Sequence, residues 1–382
     1  MTISEGIAQR QYYSRPDDQK YPTFEALLAA ADATKANART STIRTRDLRF
    51  EAHPDGDKDS PIQIIGTTGI RANLTPWSFA QICTFLKSPA DYIRRQDPQL
   101  AADLLTGDAR RAAIIGPGAT EDYGQGFRTD HRLLFDLAGA TPTLRAMNST
   151  RYSRLYDSDQ LRIVDRARQA NPNLDLPPVW EGGRGGAYRS DRDMFCILTD
   201  GGTIVPDTTV RGAKDGSMYR GIIVSNSEVG GGCATVRCFW FRTICGNLLL
   251  SGIESVIDFS RRHVGGNFTH EVSRALAAAQ QWLTRPESED RKMIDACAQT
   301  VIASTKDDTI EQIVRWLKIP ESTAQAAITQ AEQHEDCNPF SVWGAWQGLT
   351  RVSQERAHVA DRIDLDLAAA TLIRRAKVRV AA

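Results

Sequence analysis

Two runs of strand-forming residues, Tyr219–Asn226 and Cys233–Ile244, flank Gly230-Gly231-Gly232 within the stretch YRGIIVSNSEVGGGCATVRCFWFRTICGN. β-Branched and aromatic residues on both sides of a glycine break predict a β-hairpin. A hairpin commits its strands to antiparallel pairing, so this stretch limits the chain to folds built around such a sheet. Side chains alternate between the faces of a strand. Ala234, Val236, Cys238 and Trp240 therefore share one face, expected to be the core face, and Arg237, Phe239 and Phe241 share the other. An arginine beside two aromatics on an exposed face makes a stacking platform for unpaired bases. The alternative is a sheet covered on both faces, with Arg237 paired to an acid. The glycine triplet is not followed by Lys-Ser/Thr and is not a phosphate loop.

The rest of the chain fits the same frame. Residues 1–22 are polar and are expected to be flexible. Thr23 is placed to cap a helix through Ala36, Thr75-Pro76 to open a second, and Asp97-Pro98 a third. Strands are predicted at Leu48–Ala52, Ile62–Gly66, Leu133–Leu137, Leu144–Asn148 and Tyr188–Leu198. A helix at Asp159–Ala170 interrupts them, and residues 112–126 read as a glycine-rich loop. From Glu271 onward the pattern is helical throughout, with Val272, Leu276, Ala279 and Leu283 on one stripe. Thr309-x-x-Gln312 reads as a capping box and Asn338-Pro339 as a helix start. The expected fold is α+β: a mainly antiparallel sheet with a β-hairpin and packed helices, then a helical C-terminal region. It divides into a flexible N-terminus (1–22), an α+β core domain (23–270) and a helical region (271–382).

Charge narrows the function classes. Lys+Arg and Asp+Glu number 47 each, which excludes a uniformly basic nucleic-acid coat protein but leaves room for a local basic face. Only nine of the 47 basic residues are lysine, and arginine is the better residue for bidentate phosphate contact and for stacking. The apolar runs, such as Leu248-Leu249-Leu250, are too short to span a bilayer, and the start of the chain lacks the apolar core of a secretory signal. Seven cysteines without scaffold spacing suit a reduced compartment. The expected location is cytoplasmic.

Six further features bear on chemistry. In LRAMNSTRYSRLYDSDQ (144–160), Arg145, Arg151 and Arg154 interleave with Tyr152 and Tyr156, a pattern that suits a groove tracking a single strand. Asp157 and Asp159 are equally able to neutralise those arginines. Asp191 and Asp193 fall on a predicted strand, where both carboxylates would point one way and could hold Mg²⁺; Arg189 and Arg192 beside them explain the pair as well. Arg184 in GGRGG reads as a loop contact or as an ordinary loop. Cys245 with His263 is a possible thiolate–imidazole pair, against the simpler reading of a buried inert cysteine. The helix–turn–helix pattern of IEQIVRWLKIPESTAQAAITQAEQ lacks Lys and Arg in its second helix, so an αα-hairpin is expected rather than a DNA reader. The cluster Arg374, Arg375, Lys377 and Arg379 reads as a solvated helix end.

LTPWSF (74–79), SDRDMF (190–195), YRGIIVSNSEVG (219–230), CGN (245–247) and RRHVGG (261–266) occur in this order. The set resembles the phage/plasmid-like protein family, a domain of unknown function found on phages, prophages and conjugative plasmids. The resemblance covers roughly residues 70–270 and carries over no catalytic residue. It implies a setting in which DNA passes through single-stranded stages. The expectation is a single-stranded-DNA-binding protein, whose sharper form is an ATP-independent annealing protein acting as a ring or filament of copies. Arg151, Arg154, Arg220, Arg237, Arg242, Arg261 and Arg262 are expected on phosphates, with Tyr152, Phe239 and Phe241 stacking on bases. No cofactor is expected, and binding is expected rather than catalysis. The alternatives are a metal-dependent nuclease or nucleotidyl enzyme using Asp191, Asp193 and Glu228, and an inhibitor of host defence that binds a host or phage protein.

Overall fold

The structure is a computed structural model that describes residues 16–55, 61–66, 69–115, 130–177, 185–207, 216–242, 247–250, 258–265, 268–355 and 359–378. It is an α+β protein with two sheets and a helical C-terminal region. The strands in chain order are β1 (Lys20–Tyr21), β2 (Ala38–Arg44), β3 (Arg49–Ala52), β4 (Ile62–Ile65), β5 (Arg71–Leu74), β6 (Asp130–Asp136), β7 (Thr143–Ser149), β8 (Leu174–Asp175), β9 (Ala187–Arg189), β10 (Met194–Asp207), β11 (Gly216–Asn226), β12 (Ala234–Arg242), β13 (Asn247–Leu250) and β14 (Asp258–Arg261). The helices are α1 (Phe24–Asn37), α2 (Pro76–Leu86), α3 (Ala90–Ile93), α4 (Pro98–Ile115), α5 (Asp157–Ala170), α6 (Phe268–Leu283), α7 (Glu287–Gln299), α8 (Lys306–Leu317), α9 (Glu321–His334), α10 (Val342–Gln354) and α11 (Val359–Arg375).

The larger sheet runs β1-β9-β10-β11-β12-β13, with β8 beside β10 and β14 beside β12. Its centre is the predicted hairpin: β11 and β12 pair antiparallel from Met218↔Arg242 to Ser225↔Thr235. The smaller sheet runs β2-β6-β7-β5-β4-β3 and is antiparallel except for β5 against β7. Helices α2 and α4 close the smaller sheet over a core of its own, in which Ile64, Ile82, Leu105 and Leu144 are buried. The C-terminal helices do not form a separate body. Leu276, Trp282, Trp343 and Trp346 belong to one apolar cluster with Ile222, Val236 and Trp240 of the larger sheet.

Local chemistry explains most element starts. Thr23 accepts the Ala26 amide and caps α1, and Thr75 accepts the Ser78 amide at the start of α2, with Pro76 in the first turn. The capping box expected at Thr309 sits elsewhere. Thr305 caps α8 through the Asp308 amide, and Thr309 is buried one turn later, its hydroxyl donating to the Thr305 carbonyl. Helix α10 begins at Val342 under a Ser341 cap, three residues beyond the expected Asn338-Pro339 start. Lys20 and Tyr21, expected in the flexible N-terminus, pair with Tyr188 and Ala187. The expected strand Tyr188–Leu198 is two strands, β9 and β10, joined by a turn in which Ser190 Oγ accepts the amides of Arg192 and Asp193.

The second face of the hairpin is buried too. Phe239 has no exposed surface because its ring lies over Gly221, directly across the strand pair. A Cβ at residue 221 would overlap that ring and crowd the Leu198 carbonyl. Gly221→Ala is expected to destabilise the fold by about 1–3 kcal/mol through this overlap. Adding Phe239→Leu should return part of the loss, read as urea midpoints; equal loss with and without Phe239→Leu would show that the overlap is not the cause.

Candidate nucleic-acid interface

The loop of the β11–β12 hairpin, Ser227 to Cys233, is where the two sheets meet. Its Val229 carbonyl accepts from three donors of the smaller sheet and its helix: Trp77 Nε1 at 3.2 Å, Gln81 Nε2 at 2.8 Å and Asn148 Nδ2 at 3.1 Å. Gly230 follows at φ 92°, a left-handed backbone open to glycine, and a Cβ there would press on Asn148. Ser227 Oγ accepts the Gly231 amide and donates to the Arg192 carbonyl, each at 2.6 Å, tying this loop to the β9–β10 turn. The Tyr152 hydroxyl donates to the Ser227 carbonyl at 2.8 Å.

Beneath the loop lies a buried charge cluster. Glu228 pairs with Arg145 of β7 and Arg189 of β9, and its second oxygen accepts the Asp157 amide at the start of α5. One carboxylate thus joins both sheets and occupies a helix N-terminus, where the dipole favours negative charge. Asp157 accepts from Arg189 Nε at 2.9 Å and from Asn226 Nδ2 at 2.8 Å. Burial, then the neighbouring Glu228 charge, push the Asp157 carboxyl up to about 7. Burial also opposes the Glu228 charge, but Arg145 and Arg189 outweigh it and hold that carboxyl below its ordinary value. These charges are paired with one another and sealed from solvent, which suits an anchor between the sheets.

Exposed arginines ring the same loop. Arg192 lies in the β9–β10 turn, its guanidinium 4.4 Å from the centre of the half-buried Trp77 ring. Arg261 ends β14, opposite Ala234, and Arg262 follows it. Arg151 precedes Tyr152, which bridges to Val264. Arg151, Arg192, Arg261 and Arg262 are all exposed. Asp191 is exposed and Asp193 half-buried in the same turn, and Glu271 pairs with Arg261 at 3.3 Å, so among the described residues of these segments four arginines stand with three carboxylates. Below them His263 is sandwiched between Tyr152 and Phe268, with ring centres 5.1 and 5.2 Å away. Its Nδ1 lies 3.2 Å from the Ser153 carbonyl, which can only accept, so Nδ1 carries the proton. Burial lowers its pKa and favours the neutral ring.

The residues expected to form one surface separate into three groups. Arg151, Arg261 and Arg262 stand at the exposed rim. Tyr152 and Arg154 are there too but are engaged: Tyr152 by His263 and Ser227, and Arg154 by the Glu228 carbonyl and Asn148. Neither offers a free face for a base or a phosphate.

The third group lies along the hairpin. Arg220 is fully buried, held by Asp290 and by the Leu283, Arg285 and Pro286 carbonyls, and it reaches no phosphate. Phe239 is in the core and cannot stack on a base. Arg237 is half-buried and stands opposite Asp258. Phe241 and Arg242 end β12, some eight residues from the loop and so about 25 Å away; their side chains lie outside the described residues. Asp191 and Asp193 occupy the turn and not a strand, and Asp193 accepts from Ser190 and Tyr188. Among the described residues no group of three His, Cys, Asp or Glu is placed to hold a metal ion. Arg184 and Cys245 lie outside the described residues.

Trp77 and Arg192 were not among the expected site residues. Their signal was present in LTPWSF and SDRDMF, which come together here with SNSEVG and RRHV around one loop. No helix of the described residues is long and apolar enough to cross a membrane. No protein-family model, curated protein or solved structure matches the chain.

Proposed function

We propose that the loop end of the larger sheet binds single-stranded DNA, and that the protein serves a mobile element by pairing complementary strands without ATP. The observation that carries this reading is that four exposed arginines, Arg151, Arg192, Arg261 and Arg262, lie on three separate stretches of chain that pair or hydrogen-bond at the hairpin loop. Exposed guanidinium groups engage phosphates, and at a whole-chain charge of zero the attraction to DNA has to come from such a local group of cations. Trp77, under Arg192, supplies a ring on which a base can stack when the guanidinium moves to a phosphate. The resemblance to phage and plasmid proteins supplies the context. Annealing requires many sites along one strand, hence a ring or filament of copies in the cell's cytoplasm.

The test is fluorescence anisotropy of labelled oligo-dT against the full chain at low and moderate salt. Affinity should fall steeply with salt. Arg192→Glu with Arg262→Glu should weaken binding by at least about tenfold and flatten the salt dependence by about two phosphate contacts. Arg291→Glu, on α7, should change little. Absence of binding at about 50 mM salt, or equal affinity of the double variant, would overturn the reading and direct attention to a host protein partner.

A further inference from the structure

A second site is carried by the smaller sheet, apart from the basic rim. A cleft of about 290 Å³ opens between the ends of β4 and β5 in that sheet and the helices α2, α3 and α4. This is close to the lower end of the size range for pockets that take small organic ligands. Its walls include Ile62, Leu74, Phe79 and Ile93, each at most 8% exposed. Pro61, Pro76 and Pro98 line it as well, and their fixed backbone angles keep the cleft preformed.

Among the described residues that line the cleft, Arg94 is the cation. The Arg94 guanidinium lies 5.0 Å from the centre of the Phe79 ring, and its side chain is 47% exposed. Its protein partners are weak: the Pro76 carbonyl at 3.5 Å and Asp91 at 3.6 Å, the latter 90% exposed. A planar guanidinium parked on an aromatic ring is set for a carboxylate, which it can take through two parallel hydrogen bonds. Asp91 beside it disfavours a dianion such as a phosphate monoester. We infer that this cleft binds a small amphipathic monocarboxylate, its apolar body against Phe79 and Ile93 and its carboxylate on Arg94.

Calorimetric titration of the full chain with 4-phenylbutyrate, 4-phenylbutanol and 4-phenylbutylamine tests this. The carboxylate should bind at least about tenfold more tightly than the amine. Arg94→Gln should reduce it to the level of the alcohol, and Arg94→Lys should keep part of the preference. Arg94 is half-exposed, so these variants are expected to fold, which circular dichroism verifies. Equal binding of the three compounds, an unchanged carboxylate affinity in Arg94→Gln, or no heat from any of them at about 5 mM would each overturn the assignment. None of these results depends on whether the basic rim binds DNA.

Discussion

Asp290→Ala is expected to cost about 3–5 kcal/mol of folding stability. Asp290 has no exposed surface and accepts from Arg220 at 2.8 Å, from Trp240 Nε1 at 3.2 Å and from Arg285. Its removal leaves the Arg220 guanidinium buried without a counter-charge, the costly half of a broken ion pair. The remaining Arg220 partners are carbonyls at the end of α6, which carry only partial charge. Asp290→Asn keeps the volume and some hydrogen bonds and should fall between wild type and alanine. Urea unfolding followed by circular dichroism reads this as a lower midpoint with an unchanged slope. A midpoint shift below about 0.3 M for the alanine variant would show that Arg220 finds another partner or reaches water.

Glu228→Ala is expected to cost a similar amount, about 3–5 kcal/mol, because Arg145 and Arg189 lose a buried counter-charge together. The same cluster sets a pH dependence. In the unfolded chain Asp157 ionises near 4, as an ordinary carboxyl does, whereas in the folded protein burial and Glu228 push it up to about 7. Between those values the folded state holds the extra proton, so stability falls as pH rises through that window. Glu228 acts in the opposite sense: its lowered pKa gives stability that is lost as pH falls into the acid range. Urea midpoints of wild type should therefore decline from about pH 5 to about pH 7, and Asp157→Asn should remove part of that decline. An identical decline in both proteins would assign the effect to another group.

The hairpin was legible because alternation and the glycine break are local signals, and the C-terminal helices because their apolar stripes repeat every turn. Exposure was not legible. Phe239 stands on the face opposite Trp240, as alternation requires, yet that face is also buried, and only the pairing with Gly221 makes room for its ring. Arg220 looked like a phosphate ligand because its acid partner, Asp290, lies 70 positions away. The turn between β9 and β10 was hidden because Ser190 and Asp193 organise it with side-chain hydrogen bonds and no glycine or proline. Trp77 and Arg192 meet only after both sheets have formed, so no spacing in the sequence relates them.

The pairing of β1 also governs the order in which the protein is made. Lys20 and Tyr21 leave the ribosome some 170 residues ahead of their partners in β9. At ordinary synthesis rates that is a wait of roughly 10–30 s. Over that time the opening segment has no strand to join, and α1 lacks the face of α5 against which it packs. The smaller sheet is nearly complete by Ser149, well before the larger one can begin to close. Synthesis thus presents the unit bearing the Arg94 cleft before the basic rim, and the helices that pack on the larger sheet follow both.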